Sequence, residues 1–410
     1  MKERYKVVIV GSGPSAIFAA LTLIDGGVRD VAIFERGKDI QDRKRGRGME
    51  LLCGWGGAGA FSDGKLTLSP RVGGFLSEFI PSSELGQMIR KADEIFLSFG
   101  APQEIHGKYS DQTEALYQQA KLAGLELIPM EVRHLGTENC VQLLRKIRES
   151  LGKTVDIFFE RAVKEIRVKE GKALGISLSD GTGVEAEFVI CGPGRVGAEW
   201  IRQELERLQI PSVPSPVDIG VRVEAPAPIL QKLTDLTYEA KLIYYSKTFD
   251  DRVRTFCMNP FGEVVTERIE DIVTVNGHSY AQRRTENTNF AILVSSTFTE
   301  PFRDPLGYGK YIARLANLLG NGVIVQRLGD LLDGRRSTPD RILRCITQPT
   351  LTSATPGDLS FVLPYRHLKS IIEMLEAMDR IAPGIFSRHT LLYGVEVKFY
   401  TNRVKLSPVL

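Results

Sequence analysis

Gly11, Gly13 and Ala16 stand at GxGxxA spacing in "VVIVGSGPSAIF", and Glu35 closes the apolar run "VAIFE" further along. This spacing suits recognition of a diphosphate. The first glycine makes a tight turn, the second lets main chain approach a pyrophosphate, and the small third residue lets helix and strand pack. Pro14 and Ser15 open the helix, whose unpaired amides and dipole favour an anion. A carboxylate at the end of the second strand, Glu35 with Arg36 beside it, is placed to accept hydrogen bonds from a ribose diol. Together these residues point to an adenine dinucleotide whose ribose lacks a phosphate, FAD or NAD.

The elements that must position these residues follow from apolar periodicity. Val7–Val10 and Val31–Phe34 read as buried strands, with Ile17, Ala20, Leu21 and Ile24 marking one face of the helix between them. Further on, Ile157–Phe159, Val163–Val168, Leu174–Leu178 and Phe188–Cys191 alternate with turns, a meander returning to a buried strand. An NAD domain would more often continue with repeated strand and helix. A rival second nucleotide site, "GPGRVG" at Gly192–Gly197, lacks the strand it needs. Its helix "GAEWIRQELERL" is followed by Pro211, Pro214 and Pro216, and proline cannot donate into a central strand.

This pattern resembles the two-dinucleotide-binding-domain flavoproteins, the glutathione-reductase-like FAD fold. The resemblance implies that Ala162 and Val163 lie against adenine and that "VICGPGR", with Gly192 and Gly194, ends the strand beside the cofactor. It also implies that the segment after Glu35 runs along the pyrophosphate to the flavin. That segment contains "CGWGGAGAFSDGKL", and glycine so dense costs backbone entropy unless main chain must approach something closely. On this reading Gly56, Gly57, Ala58 and Gly59 bring amides to the pyrophosphate and the isoalloxazine, whose reduced form such dipoles stabilise.

Side chains in and near the loop carry two readings each. Lys65 can set a cation beside the flavin or begin a new segment. Ser62 and Asp63 can bond the flavin edge or cap a helix. Cys53 has no CxxC partner and reads as a buried structural thiol. Arg43, Lys44, Arg45 and Arg47 read chiefly as a solvated basic loop.

"GGAGAFSDGKL", "VICGPGRVGAEW", "PVDIGVRVE" and "TVNGHSY" together resemble the broad family of uncharacterised FAD-dependent dehydrogenases. The resemblance covers most of the chain. It implies an FAD oxidoreductase that moves a hydride between a small organic substrate and flavin N5, with NAD(P)H as an electron donor to be tested. An FAD monooxygenase and a non-catalytic FAD-binding regulatory protein are the alternatives.

The expected architecture is α/β. Residues 1–215 form a Rossmann-like FAD-binding domain with a β-meander crossover, glycine loop 46–66 and meander 155–190. Residues 216–384 form an inserted, β-rich α+β domain with an antiparallel sheet that covers the flavin and holds substrate. Residues 385–410 return to the first domain, without the Gly-Asp segment usual at that end. Gly329–Asp330 and Gly357–Asp358 lack the small-residue helix that role requires. In the second domain His278 is the acid or base candidate, with Tyr280 behind it. Arg222 and Arg254 can grip a substrate carboxylate or line a wet face. His106, His134, His367 and His389 are too dispersed for a metal site.

Bulk composition agrees with a small-molecule role. Of 410 residues, 43% are hydrophobic and 25% charged, as in a globular chain of two or three domains. Basic and acidic residues number 53 and 50, so no large field for nucleic acid or membrane arises. Five scattered cysteines suit a reducing compartment. The first apolar run is too short for an export segment, so a soluble, cytoplasmic chain is expected.

Overall fold

The computed structural model describes residues 1–44, 52–269, 271–280, 283–298, 301–302, 304–400 and 403–405. Arg45 and Arg47 lie outside the described residues, as does part of the loop 46–66.

Two sheets dominate. The first has six strands in the spatial order Asp156–Phe158, Val31–Phe34, Arg4–Val10, Gly183–Cys191, Lys172–Leu178 and Val163–Lys169. The first four run parallel, and the last three form an antiparallel meander. Gly183–Cys191 serves both parts: its first half pairs with Lys172–Leu178, and it also lies along Arg4–Val10. The Rossmann-like sheet with its meander is therefore present as the sequence predicts. Val7 and Ile9 pack under the helix Pro14–Asp25 and against Thr137–Leu151. Their neighbours Val8 and Val10 face the opposite side with Phe34 and Ile176. A strand buried on both faces reads as a continuous apolar run, as "VVIV" does.

The second sheet has eight strands, ordered Thr355–Pro356, Ile324–Arg327, Leu391–Lys398, Val217–Pro226, Asn287–Ser296, Arg252–Asn259, Leu242–Tyr245 and Glu126–Leu127. Apart from the outer pair Ile324–Arg327 and Thr355–Pro356, its strands are antiparallel. Along Val217–Pro226, Val217, Ile219, Val221 and Val223 enter the largest core, shared with residues of the helices Ala227–Thr237, Pro305–Gly320 and Tyr365–Met378. Asp218, Arg222 and Glu224 alternate with them on the other face, yet all three are buried.

Pairing departs from the expected boundaries in two places. Leu391–Lys398 does not return to the six-stranded sheet but fills the middle of the eight-stranded one, opposite Val217–Pro226. There its Glu396 pairs with the buried Arg222 at 2.8 Å. Among the described residues Arg403–Val404 pairs with Ser212–Val213 alone. Glu126–Leu127, from the first half of the chain, forms the far edge of the second sheet. After the helix Ala198–Arg207 no described strand joins the six-stranded sheet. No helix among the described residues is long and apolar enough to cross a membrane.

Candidate dinucleotide site and the charged face beside it

The GxGxxA turn is held open. Gly11 has φ +94°, and a Cβ there would stand 2.3 Å from the Gly192 carbonyl oxygen. Only glycine satisfies both the angle and the approach. Gly13 caps the helix Pro14–Asp25 with no side-chain hydrogen bond at the cap. A Cβ on Gly13 would meet nothing within 4 Å, and Pro14 and Ser15 are exposed. Bare amides at a helix start, beside free space, suit a pyrophosphate. Ala16 is buried against Gly192, whose amide donates to the Val10 carbonyl at 2.9 Å.

The glycine loop docks on this turn. The Gly56 amide donates to the Ser12 carbonyl at 2.9 Å, and Gly57, at φ +53°, brings its Cα side to the Gly13 backbone. Gly57, Ala58 and Gly59 lie in a short 3-10 turn and stay half-exposed beside Pro14. Trp55 anchors the loop from below: it is fully buried and donates to the Leu144 carbonyl at 2.9 Å. Arg43 is part of this anchor, against the expectation of a solvated basic loop. It is buried, donates to the Trp55 and Gly57 carbonyls and lies 4.9 Å from the Phe61 ring. Lys44 is exposed, as expected.

Glu35 is buried between the two glycine segments. One carboxylate oxygen accepts from the Ser12 amide at 2.9 Å and hydroxyl at 2.8 Å; the other accepts from the Gly37 amide at 2.7 Å and the Gly54 amide at 3.2 Å. In this arrangement the acid clasps turn to loop, where the sequence suggested a free ribose acceptor. Cys53 contacts Glu35 at 3.4 Å, and burial first, then that carboxylate, push its thiol pKa to about 12. Cys53 is half-buried here, where the sequence suggested a buried thiol. The Arg161 amide donates to the Glu35 carbonyl, which sets Ala162 and Val163 beside the same clasp. Arg36 is exposed there, and Gly194, at φ +63°, faces open space.

Beyond the loop the chemistry changes from main chain to side chain. Ser62 ends the 3-10 turn, accepting from the Gly64 amide at 3.2 Å, so it caps its own loop and not a helix start. Asp63 and Lys65 turn toward the eight-stranded sheet. The Lys65 ammonium lies 2.9 Å from Asp63 and 3.1 Å from Glu239, and also meets the Met258 carbonyl and Asn259. Burial opposes its charge, but Asp63 and Glu239 outweigh that, and its pKa stands well above the ordinary lysine value. Lys65 is thus a paired interior cation and not a surface lysine that begins a new segment.

Arg222 is likewise committed. Its guanidinium is fully buried and forks onto Glu396 at 2.8 and 3.0 Å, with Asn289 at 2.8 Å and the Cys257 carbonyl at 3.1 Å. The carboxylate it grips belongs to the protein. Gly277 makes room for it, since a Cβ there would stand 2.2 Å from the guanidinium. His278 follows as the half-buried end of the strand Ile272–His278, so "NGHSY" does reach this face. Tyr280 donates to Glu263 at 2.7 Å. Arg254 pairs with Asp218 at 2.6 Å and donates to the Tyr400 hydroxyl at 2.9 Å.

Of the scattered histidines, His106 and His134 come together around Tyr238. His106 stacks on its ring at 4.7 Å, and His134 Nδ1 lies 2.7 Å from its hydroxyl. Burial holds the His134 pKa down to about 4 and raises the Tyr238 pKa to about 12. Among the described residues no group of His, Cys, Asp or Glu can hold a metal ion. Asp330, set aside in the sequence, is fully enclosed by Arg327, Arg335 and Ser337. A groove of about 890 Å³ lies along Phe188 and Leu174 of the first sheet, and neither the glycine turn nor Lys65 lines it.

Glu239, Lys241, Asn259, Asn289, Glu396 and Lys398 belong to the charged face and were missed. In "GVEVKF" the alternation of Val395 and Val397 with Glu396 and Lys398 was the available signal, since it places both charges on one side of a strand.

Comparison with known proteins matches residues 216–399 to the family described as FAD-dependent protein, C-terminal domain-like. An uncharacterized protein of Clostridium beijerinckii is 28% identical over 427 residues, covering 95% of this chain and 71% of that protein. Among solved structures, L-amino acid deaminase from Proteus vulgaris is 12% identical, covering 97% of this chain and 84% of that one at a TM-score of 0.39. Glycine oxidase from Geobacillus kaustophilus is 13% identical over the same shares, at 0.37. Structural likeness at this level carries no argument about substrate or reaction. The second half of this chain, then, is similar to the C-terminal domain of FAD-dependent proteins.

Proposed function

We propose that the chain is an FAD-dependent oxidoreductase, a dehydrogenase or reductase that moves a hydride between a small organic substrate and flavin N5. The observation that carries this reading is the cradle: Gly13 open to space, the uncapped helix start at Pro14, and the half-exposed Gly57–Gly59 docked beside it. The match of residues 216–399 to FAD-dependent proteins supports FAD over NAD as its occupant.

The residues present fit the group. Gly11–Ala16 and Gly56–Gly59 would hold the pyrophosphate, Ala162 and Val163 would line the adenine side next to Glu35, and Gly192 and Gly194 would flank the turn. When bound, FAD supplies the acceptor or donor of the hydride. The protein's own part is to fix the cradle through Glu35, Arg43 and Trp55, and to present the charged face to substrate through Asp63 and Lys65. His278 would exchange a substrate proton, as the acid or base that the sequence named. NAD(P)H as electron donor belongs to the same proposal.

The test is an absorption spectrum of the purified chain with added FAD, followed by anaerobic NADH and NADPH. On the order of one bound FAD per chain, reduced by substrate or by one nicotinamide, is expected. No binding of FAD at saturating concentration would overturn the reading.

A further inference from the structure

Two cations of the glycine loop and its flank are already committed. Lys65 is buried between Asp63 and Glu239 at 2.9 and 3.1 Å, and Arg43 donates to the Trp55 and Gly57 carbonyls. Neither is placed to meet the negative charge of a pyrophosphate at the turn.

Arg195 is held differently. It follows Gly192, Pro193 and Gly194, which form one wall of the turn: a Cβ on Gly11 would stand 2.3 Å from the Gly192 carbonyl oxygen and 3.4 Å from the Pro193 Cα. Beyond that wall the space is open. A Cβ on Gly194, at φ +63°, would meet nothing within 4 Å, and the Arg195 side chain is 36% exposed. Among the described residues its charged partner is Glu267 alone, at 3.5 Å. A well-formed pair of this kind closes to about 2.7–2.9 Å. Arg222 and Arg254 meet their carboxylates at 2.8 and 2.6 Å, so the Arg195 contact is the loose one.

Glu267 does not depend on Arg195. It is buried on the strand Glu263–Ile269, where Asn276 donates to it at 3.4 Å and the Lys398 ammonium lies 3.9 Å away. If the guanidinium turns away, the carboxylate keeps both neighbours, and no bare buried charge is left behind. The exposed end of the pair is therefore the one able to change partner.

We propose that Arg195 is a ligand of the dinucleotide's pyrophosphate, and that Glu267 holds its guanidinium until the diphosphate takes it over. This rests on the FAD reading and adds a cationic residue to the main-chain cradle. Arginine suits the task, because its planar fork can lay two parallel N–H donors on phosphate oxygens. The exchange also reaches the second sheet. Glu263–Ile269 pairs with Ile272–His278, so a change at Glu267 is felt by the hairpin that carries His278.

The experiment is isothermal titration calorimetry of the whole chain with ADP, which carries the diphosphate and adenosine of FAD without the flavin and needs no turnover. ADP is expected to bind at one site per chain. Arg195→Met should raise its Kd about tenfold or more, and Arg195→Lys should keep part of the affinity. Glu267→Gln should lower the Kd about threefold by freeing the guanidinium, and that gain should vanish when Arg195→Met is added. A contact that merely ties hairpin to turn would make the two single variants shift the Kd in the same direction. Circular dichroism checks that the variants fold. Unchanged ADP affinity in folded Arg195→Met, or a Glu267→Gln variant that weakens ADP as Arg195→Met does, would overturn the proposal. FAD titrated in the same preparation separates the two readings. FAD binding with ADP affinity indifferent to Arg195 removes only the arginine contact, and Arg195-dependent ADP binding without FAD binding removes the flavin reading while the diphosphate contact stands. Failure of the unaltered chain to bind either one overturns both.

Discussion

The six-stranded sheet offers bare main chain at its working end, at Gly11, Gly13 and Gly57, whereas the eight-stranded sheet offers a buried field of side chains around Phe256 and Arg222. The first region works by leaving atoms out, and the second by setting opposed charges in place. A missing side chain is tolerant of its surroundings but intolerant of substitution. A buried charge network behaves otherwise: each member depends on the others, and losing one strands its partner. The two meet at Asp63 and Lys65, where the glycine loop ends on Glu239.

The largest effect that would break this contrast lies in the second sheet. Glu396→Leu leaves the fully buried Arg222 without its carboxylate, and urea unfolding should show a loss of about 3–5 kcal/mol. Pairing it with Arg222→Met should recover part of that loss, the remainder belonging to Lys398, which Glu396 also serves at 2.9 Å. If the double variant is no better than the single one, the two side chains are not acting as a pair. In the first sheet, Gly11→Val combines a disfavoured φ with a clash on the Gly192 carbonyl, for about 3 kcal/mol or more of stability, read the same way.

The same contrast explains what could be read in the chain beforehand. The dinucleotide turn, the helix after it and the meander were legible because each rests on local spacing, and glycine at Gly11 and Gly13 leaves little choice of conformation. The charged face was not. Lys241, Phe256, Glu396 and Lys398 meet only through the successive pairing of Leu391–Lys398, Val217–Pro226, Asn287–Ser296, Arg252–Asn259 and Leu242–Tyr245, and no local pattern announces partners so distant. Arg222 and Arg254 were recognised by type, but whether an arginine binds substrate or a neighbouring glutamate depends on that pairing. Glu35 shows the converse: its position was legible, but its clasp of Ser12 and Gly54 depends on how the loop docks.

Acid sharpens the comparison with a smaller, graded effect. Burial lowers the His134 and His367 pKa values to about 4 from an ordinary 6.5, so the unfolded chain binds more protons between those values. Their neutral, buried forms therefore contribute stability above about pH 6.5, and it is lost as pH falls toward 4. Glu239 follows. Burial opposes its charge, but Lys65 and Lys241 hold its pKa down to about 2 from 4.5, so its contribution is present above 4.5 and lost toward 2. Urea midpoints measured from pH 7 to 2.5 should fall in that order. Hydrogen exchange in the last interval should rise first around Lys65, where the two regions join. A flat midpoint between pH 6.5 and 4 would contradict the buried neutral histidines.

The smallest effect is expected at Cys53. With its thiol pushed up to about 12, alkylation at pH 8 should be far slower than for a free thiol, and Cys53→Ala should alter stability by less than about 1 kcal/mol. Rapid labelling of Cys53 would mean that the Glu35 clasp opens readily.

The most direct measurement is an FAD titration of the unaltered chain and of Gly13→Ala, each with a thermal melt. Gly13 has φ −73° and ψ −179°, which alanine adopts without strain, and the added methyl group meets nothing within 4 Å of its own protein. If that space belongs to the pyrophosphate, the melting temperature should stay where it is while the FAD Kd rises about tenfold or more. Equal FAD affinity in the two chains would contradict the account, because the opening above Gly13 would then be no part of a dinucleotide site.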